Sequence, residues 1–199
     1  MKQKFLSYCL NTIRENRSDI DEIKLDEIRY GLEAIYITVT KTIVIFSLAL
    51  IFNIFREMLL LLIFFNILRT TGFGLHASKG WICLLSSSLI FIILPFFSKL
   101  ITIPIYIKSL LGVIAIILIY VYTPADTVKK PIISKKRREI YNFVTTISCI
   151  LLTFISIIVK DNTISNLIIF GIYIEVVLVL PLTYKTFNLG YNNYLNYDN

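Results

Sequence analysis

Hydrophobic and polar positions alternate with a helical period only at the start of this chain, and beyond residue 33 they separate into long apolar runs divided by short polar gaps. Residues 3 to 16 set Phe5, Leu6, Cys9, Leu10 and Ile13 at three- and four-residue spacings among Lys, Arg, Asn and Gln. This pattern predicts an amphipathic helix on a membrane surface or beneath a membrane domain. Ser18, followed by Asp21 and Glu22, has the chemistry of a helix start: a hydroxyl for free amides and acids for the positive end of the dipole. A second helix, with Ile20, Ile23 and Ile28 on one side, leads from there towards the bilayer.

The first apolar run, from about Ala34 to Phe55, is long enough to cross a hydrocarbon core about 30 Å thick, and Arg56-Glu57 marks its far end. The second, Met58 to Leu68, has 11 residues and runs into a glycine-rich polar stretch. Such a segment is short enough to re-enter, with backbone broken inside the membrane's depth where protein or a watery cavity satisfies it. Trp81 to Phe97, Ile103 to Tyr122, Tyr141 to Val159 and Ile164 to Tyr184 follow, the third run ending at Pro95 and Ser98-Lys99. One long polar loop, Thr123 to Glu139, carries six basic residues, and a Tyr/Asn-rich tail closes the chain. The fold class is an all-α polytopic membrane protein of about six segments preceded by amphipathic helices. The expected organisation is residues 1–33 interfacial, 34–184 embedded and 185–199 a cytosolic tail.

Composition supports this. Over 199 residues, 56% are hydrophobic and the mean hydropathy is +0.75, outside the range of a soluble globule. No secretory signal pattern opens the chain, so its first membrane helix is expected to target it. The net charge of +7 is explained by membrane orientation rather than by nucleic acid. With six crossings, fifteen of the 20 Lys and Arg residues fall on the side of the N-terminus, against Arg56, Lys99 and Lys160 opposite, while Lys41 and Lys108 lie within segments. The positive-inside rule then puts the N-terminus and the glycine-rich stretch in the cytosol. Three cysteines, Cys9, Cys83 and Cys149, are too few and too scattered for a disulfide framework, and reduced thiols are expected.

Candidate chemistry gathers in one place. Arg69-Thr70-Thr71-Gly72-Phe73-Gly74-Leu75-His76-Ala77-Ser78-Lys79-Gly80-Trp81-Ile82-Cys83 holds the single histidine, a thiol and three glycines. A thiolate with a neighbouring imidazole is the minimal kit for attack on an acyl group. On one continuous helix the two side chains would lie about 10 Å apart along the axis, so the helix has to break between them. Gly80 permits that bend, and Gly72 and Gly74 let the preceding loop fold back. On spacing alone, the competing reading is an interfacial histidine beside an inert buried cysteine. A single histidine leaves no His-rich metal site, and no metal or cofactor is expected. Asp126 and Asp161 fall in predicted loops, which argues against an intramembrane aspartyl dyad; Ser86-Ser87-Ser88 reads as helix packing.

Arg69 either holds a substrate carboxylate, pairs with a membrane acid or anchors at the interface. Glu33, at the mouth of the first segment, and Glu175, inside the last, are each candidates to orient His76, or to pair with Arg69, Lys41 or Lys108. The basic loop is either a topology signal or a docking surface for an acidic peptide or anionic lipid.

Arg69, Gly74-Leu75-His76 and Cys83 resemble the catalytic stretch of the accessory gene regulator protein B family, membrane cysteine endopeptidases of quorum sensing. Tyr122 to Ile132 is similar to that family's loop of Pro-Ala, basic residues and Lys-Pro-Ile. Arg29-Tyr30-Gly31-Leu32-Glu33, Ile174-Glu175 and Leu180-Pro181 agree, so the resemblance covers essentially the whole chain; Thr123 and Leu75 depart from the common Ala at their positions. The resemblance implies His76 and Cys83 as catalytic, and a pro-peptide of the accessory gene regulator D (AgrD) type as substrate, with an amphipathic leader and an acidic tail. That tail would dock on Lys129, Lys130, Arg137 and Arg138. Membrane lipid and a second copy in a homodimer are the other partners. The alternatives are a small exporter or channel lined by Lys41, Lys108 and Glu175, in which no inverted repeat is evident, and a non-catalytic membrane subunit.

Overall fold

The computed structural model describes residues 2–17, 20–75, 80–127 and 131–197. Among the described residues eight helices run in order: α1 (Lys2–Asn16), α2 (Glu22–Ile51), α3 (Phe55–Gly72), α4 (Gly80–Leu100), α5 (Ile105–Tyr122), α6 (Lys135–Ile158), α7 (Asn162–Val179) and α8 (Pro181–Thr186), with a short 3-10 turn at Asn193–Tyr197. No strand occurs among the described residues, only one isolated parallel bridge between Phe73 and Ala125. The expected all-α polytopic architecture is what forms. Among the described residues four helices, α2, α5, α6 and α7, are long and apolar enough to cross a membrane, and Leu84–Leu100 of α4 is a shorter apolar stretch.

The amphipathic α1 lies antiparallel on the start of α2. Phe5 packs on Tyr36 with ring centroids 5.4 Å apart, Leu6 and Leu25 are buried, Lys2 pairs with Glu33, and Arg14 pairs with Glu22 at 2.7 Å. The surface helix and the first span prove to be one element. α2 has 30 residues, about 45 Å of helix. It ends where Asn53 takes a left-handed φ of 52°, a conformation that Asn tolerates better than most residues.

The expected short segment becomes the 18-residue α3, because its polar ends find partners instead of breaking the helix. Glu57 meets Lys99 at 3.2 Å, and Thr70 bonds back to the carbonyls of Asn66 and Ile67. α4 passes through Pro95 to Leu100 rather than stopping near it. The fifth span also starts earlier than Tyr141: Ser134 caps the first turn by accepting the Arg137 N–H, which puts Lys135 to Arg138 on α6.

α7 is the central post. Its buried residues run from Ser165 to Val179, and its neighbours are α3, α4, α5 and α6. Small residues set the crossings in the bundle. A Cβ on Gly171 would stand 3.0 Å from the Phe64 Cβ and 3.1 Å from the Phe65 backbone nitrogen, and one on Gly112 of α5 would stand 2.1 Å from the Thr153 Cγ2 of α6. Without a hydrophobic drive between helices in lipid, this close packing and interhelical hydrogen bonds hold the bundle. At one end Asn166 donates to the carbonyls of Ser98 and Ile101, and Lys108 donates to Ser165 at 2.7 Å. The other end carries the candidate chemistry.

Candidate active site

At that end α3 stops because Phe73 and Gly74 turn left-handed, with φ of 60° and 87°. The backbone so released is satisfied by two other parts of the chain. Gly74 donates its N–H to Ala125 at 2.8 Å, Ala125 donates to Gly72 at 3.0 Å, and Leu75 donates to the Leu178 carbonyl of α7 at 2.9 Å. The helix therefore ends here in a turn whose free backbone groups bond to other parts of the protein.

Arg69, in the last turn of α3, reaches over this break. Its Nη2 donates to the carbonyls of Gly74 at 3.1 Å and Leu75 at 2.9 Å, and its Nη1 stands 3.7 Å from Glu175 Oε2. The Arg69 side chain is 13% exposed and that of Glu175 is fully buried. Two glycines make the space. A Cβ on Gly72 would lie 2.5 Å from Glu175 Oε1, and one on Gly74 would lie 2.5 Å from Arg69 Nη1. Among the described residues the Glu175 carboxylate accepts no hydrogen bond, so charge alone ties it to Arg69. The membrane acid that stands beside Arg69 is Glu175. The two candidate acids separate as well: Glu175 abuts the loop, whereas Glu33 faces Lys2 on α1, both partly exposed.

His76, Lys129 and Lys130 lie outside the described residues. Gly80, expected to permit a bend, opens α4, and Cys83 is the fourth residue of that helix by its backbone, its side chain being outside the description. Arg137 is exposed. Arg138 stacks over the Tyr194 ring, its guanidinium carbon 3.3 Å from the centroid. Lys135 and Arg138 line a cavity of about 400 Å³ with Tyr122, Asn142, Tyr191 and Tyr194. Four cations in the first turn of α6 add to the positive end of its dipole, which makes this mouth an anion-attracting one.

The family model for Accessory gene regulator B matches residues 6–179. The chain belongs to the accessory gene regulator B family. An AgrB-like protein of Listeria monocytogenes serotype 4a is 31% identical over 188 residues, covering 94% of this chain and 91% of its own length. One from Clostridium acetobutylicum is 29% identical over 179 residues, 90% of this chain and 86% of its own. The accessory gene regulator protein B of Staphylococcus aureus strain Newman is 31% identical over 173 residues, 86% of this chain and 89% of its own. No solved structure matches. Membership places the protein in the membrane and in agr quorum sensing.

In this accessory gene regulator B chain the structure adds groups that hydropathy did not single out. Thr145 of α6 donates to Thr71 at 2.7 Å. Tyr184 of α8 donates to the carbonyls of Ala125 and Asp126, and Asp126 accepts from the Asn193 and Tyr194 backbone N–H groups at 2.9 Å each and from Asn193 Nδ2 at 3.2 Å. The tail is thus folded onto the loop that supports the α3 break. The Tyr122-to-Ile132 block signalled the loop's importance; the tail carried no signal of its own. Two residues of the proposed transport path stand apart: Lys108 bonds Ser165, about 15 Å along α7 from Glu175.

Proposed function

We propose that this protein is a membrane cysteine endopeptidase that removes the C-terminal tail of an AgrD-type pro-peptide and permits the remainder to close into a ring. The observation that carries the reading is the grip of Arg69 on the Gly74 and Leu75 carbonyls, which prepares the backbone directly ahead of the single histidine. Family membership gives the biological setting.

His76 takes the proton of the Cys83 thiol, and the thiolate adds to the carbonyl carbon at the C-terminal edge of the signal sequence. The carbon–nitrogen bond breaks, His76 returns the proton to the leaving amine, and the tail departs, leaving a thioester on Cys83. An internal cysteine of the substrate then attacks that thioester, which forms the thiolactone and restores the Cys83 thiol. One thioester replaces another, so the exchange needs no nucleotide while water is kept out. A serine at that substrate position gives a lactone instead.

The cationic mouth of α6, with Lys129 and Lys130 before it, suits the acidic tail of the substrate, and the amphipathic leader would lie in the lipid interface. The basic residues of α1, Lys24 and Arg29 at the start of α2, and the four cations of α6 belong to the end of the bundle that carries the α3 break, and Arg56, Lys99 and Lys160 to the other. That distribution supports a cytosolic N-terminus and a cytosolic catalytic stretch. A homodimer is carried over from the family resemblance.

The test is mass spectrometry of the pro-peptide incubated with the purified protein in liposomes, beside His76→Ala and Cys83→Ala. The expected products are a tail fragment with an adduct on Cys83 or a cyclic peptide, lost in both variants. Cleavage or ring closure by Cys83→Ala would refute the covalent route.

A further inference from the structure

We propose that Glu175 is a positioning residue, acting on the site through Arg69 rather than as a third group on His76; the proposal rests on the reading that His76 and Cys83 do the chemistry. The geometry assigns each part a task. Arg69 spends Nη2 on two consecutive carbonyls, those of Gly74 and Leu75, and no other residue is described as donating to both. A guanidinium can do this because its donors form a rigid fork; an ammonium cannot hold a carboxylate and two carbonyls in the same arrangement. Buried at 13% exposure, that guanidinium needs a counter-charge, and Glu175 supplies it from α7 at 3.7 Å.

The same helix acts on the loop a second time. Leu178, one turn on from Glu175, accepts the Leu75 N–H at 2.9 Å. α7 therefore fixes the residue before His76 from both sides, through its N–H directly and through its carbonyl by way of Arg69. The glycines complete the device: Gly72 leaves room for Glu175 Oε1 and Gly74 for Arg69 Nη1. A carboxylate wedged against Gly72, with Thr145 Cγ2 also close to that point, is placed beneath the break as a floor for Arg69.

A purely structural ion pair and a positioning pair differ in what a charge-free replacement restores. Arg69→Met alone strands a buried carboxylate and is expected to destabilise the protein. In Arg69→Met/Glu175→Gln both charges are gone, and the thermal midpoint is expected to return close to that of the wild type. If the pair positions the loop, kcat for pro-peptide cleavage in liposomes stays about 10²-fold down in the double variant, the cost of misplacing reacting groups by about 1 Å, with KM little changed. Arg69→Lys, which keeps the charge but not the fork, is expected to retain stability and lose kcat likewise.

Hydrogen exchange of the peptide covering residues 70–75 gives a readout independent of turnover: faster exchange in the double variant and in Arg69→Lys, at unchanged global stability, is the expected result. Recovery of both kcat and exchange protection in the double variant would overturn the proposal. So would a shift of the acid limb of the kcat/KM profile in Glu175→Gln that Arg69→Lys does not share, because Glu175 would then act on His76 itself. Should the wild type leave the pro-peptide intact, the functional reading fails, and the exchange measurement still decides whether Arg69 and Glu175 order the loop.

Discussion

Gly74→Ala puts the α3 break to a quantitative test. At φ 87° the backbone is left-handed, which costs a residue bearing a Cβ roughly 1–2 kcal/mol. The added methyl would also stand 2.5 Å from Arg69 Nη1 and 2.8 Å from the Leu178 carbonyl oxygen. The first neighbour is the end of a flexible side chain, but the second is the backbone of a buried helix and cannot yield cheaply. Overpacking of this kind costs roughly 1–3 kcal/mol, for a total of about 2–5 kcal/mol. That is within the roughly 5–15 kcal/mol of a typical domain, so the variant folds with its loop pushed off α7. Displacement of the loop by a substantial part of an ångström should lower cleavage of the pro-peptide by up to about 10²-fold. The control is Gly31→Ala in α2, where nothing lies within 4 Å of the added Cβ; in a helix it should gain roughly 0.5–1 kcal/mol. The assay is thermal unfolding in liposomes or nanodiscs beside cleavage kinetics. Wild-type midpoint and wild-type kcat in Gly74→Ala would refute the reasoning, because neither the backbone conformation nor the α7 contact would then constrain the loop.

Two further outcomes concern the tail. Asp126→Asn should turn an acceptor of the Asn193 and Tyr194 N–H groups into an amide that has to point a donor at a donor, costing roughly 1.5–3 kcal/mol; faster hydrogen exchange over residues 188–197 is the expected sign, and unchanged protection would contradict the clamp. Burial, with the charges of Tyr122, Tyr194 and Asp126 behind it, pushes the Tyr191 hydroxyl from 10.0 up to about 12. A raised value means that the folded state favours the neutral phenol. Its contribution is complete below about pH 10 and is lost as the pH rises towards 12, so tail protection should fall across that window and lose this dependence in Tyr191→Phe.

Local periodicity carries local structure, and it served where neighbours in sequence decide the outcome. Phe5, Leu6 and Leu10 marked α1, and the apolar runs marked the membrane helices. It drew the helical part of α3 too short, since Glu57 and Arg69 look like terminators until Lys99 and Glu175 arrive from other helices to pair with them. It also separated α2 into a surface helix and a span, because a change from polar to apolar composition reads as a boundary although the backbone has no reason to stop. Gly72, Gly74 and Gly80 were legible as the place where helix gives way. What fills that place was not: Ala125, Leu178 and Glu175 reach it by tertiary packing, on which sequence spacing is silent. Tyr184, Asn193 and Tyr194 looked like an idle polar tail for the same reason.

The position of α7 in the chain sets a timetable. Arg69 is synthesised and delivered to the bilayer well before Glu175 and Leu178 leave the ribosome, so during that interval the Glu175 carboxylate is not yet beside its guanidinium. The contacts that α7 makes at the α3 break, from Leu178 and Glu175, form only when α7 arrives. A partly synthesised chain thus lacks the α7 contacts on Leu75 and Arg69, and the frame around the α3 break is complete only as the last long helix enters the membrane.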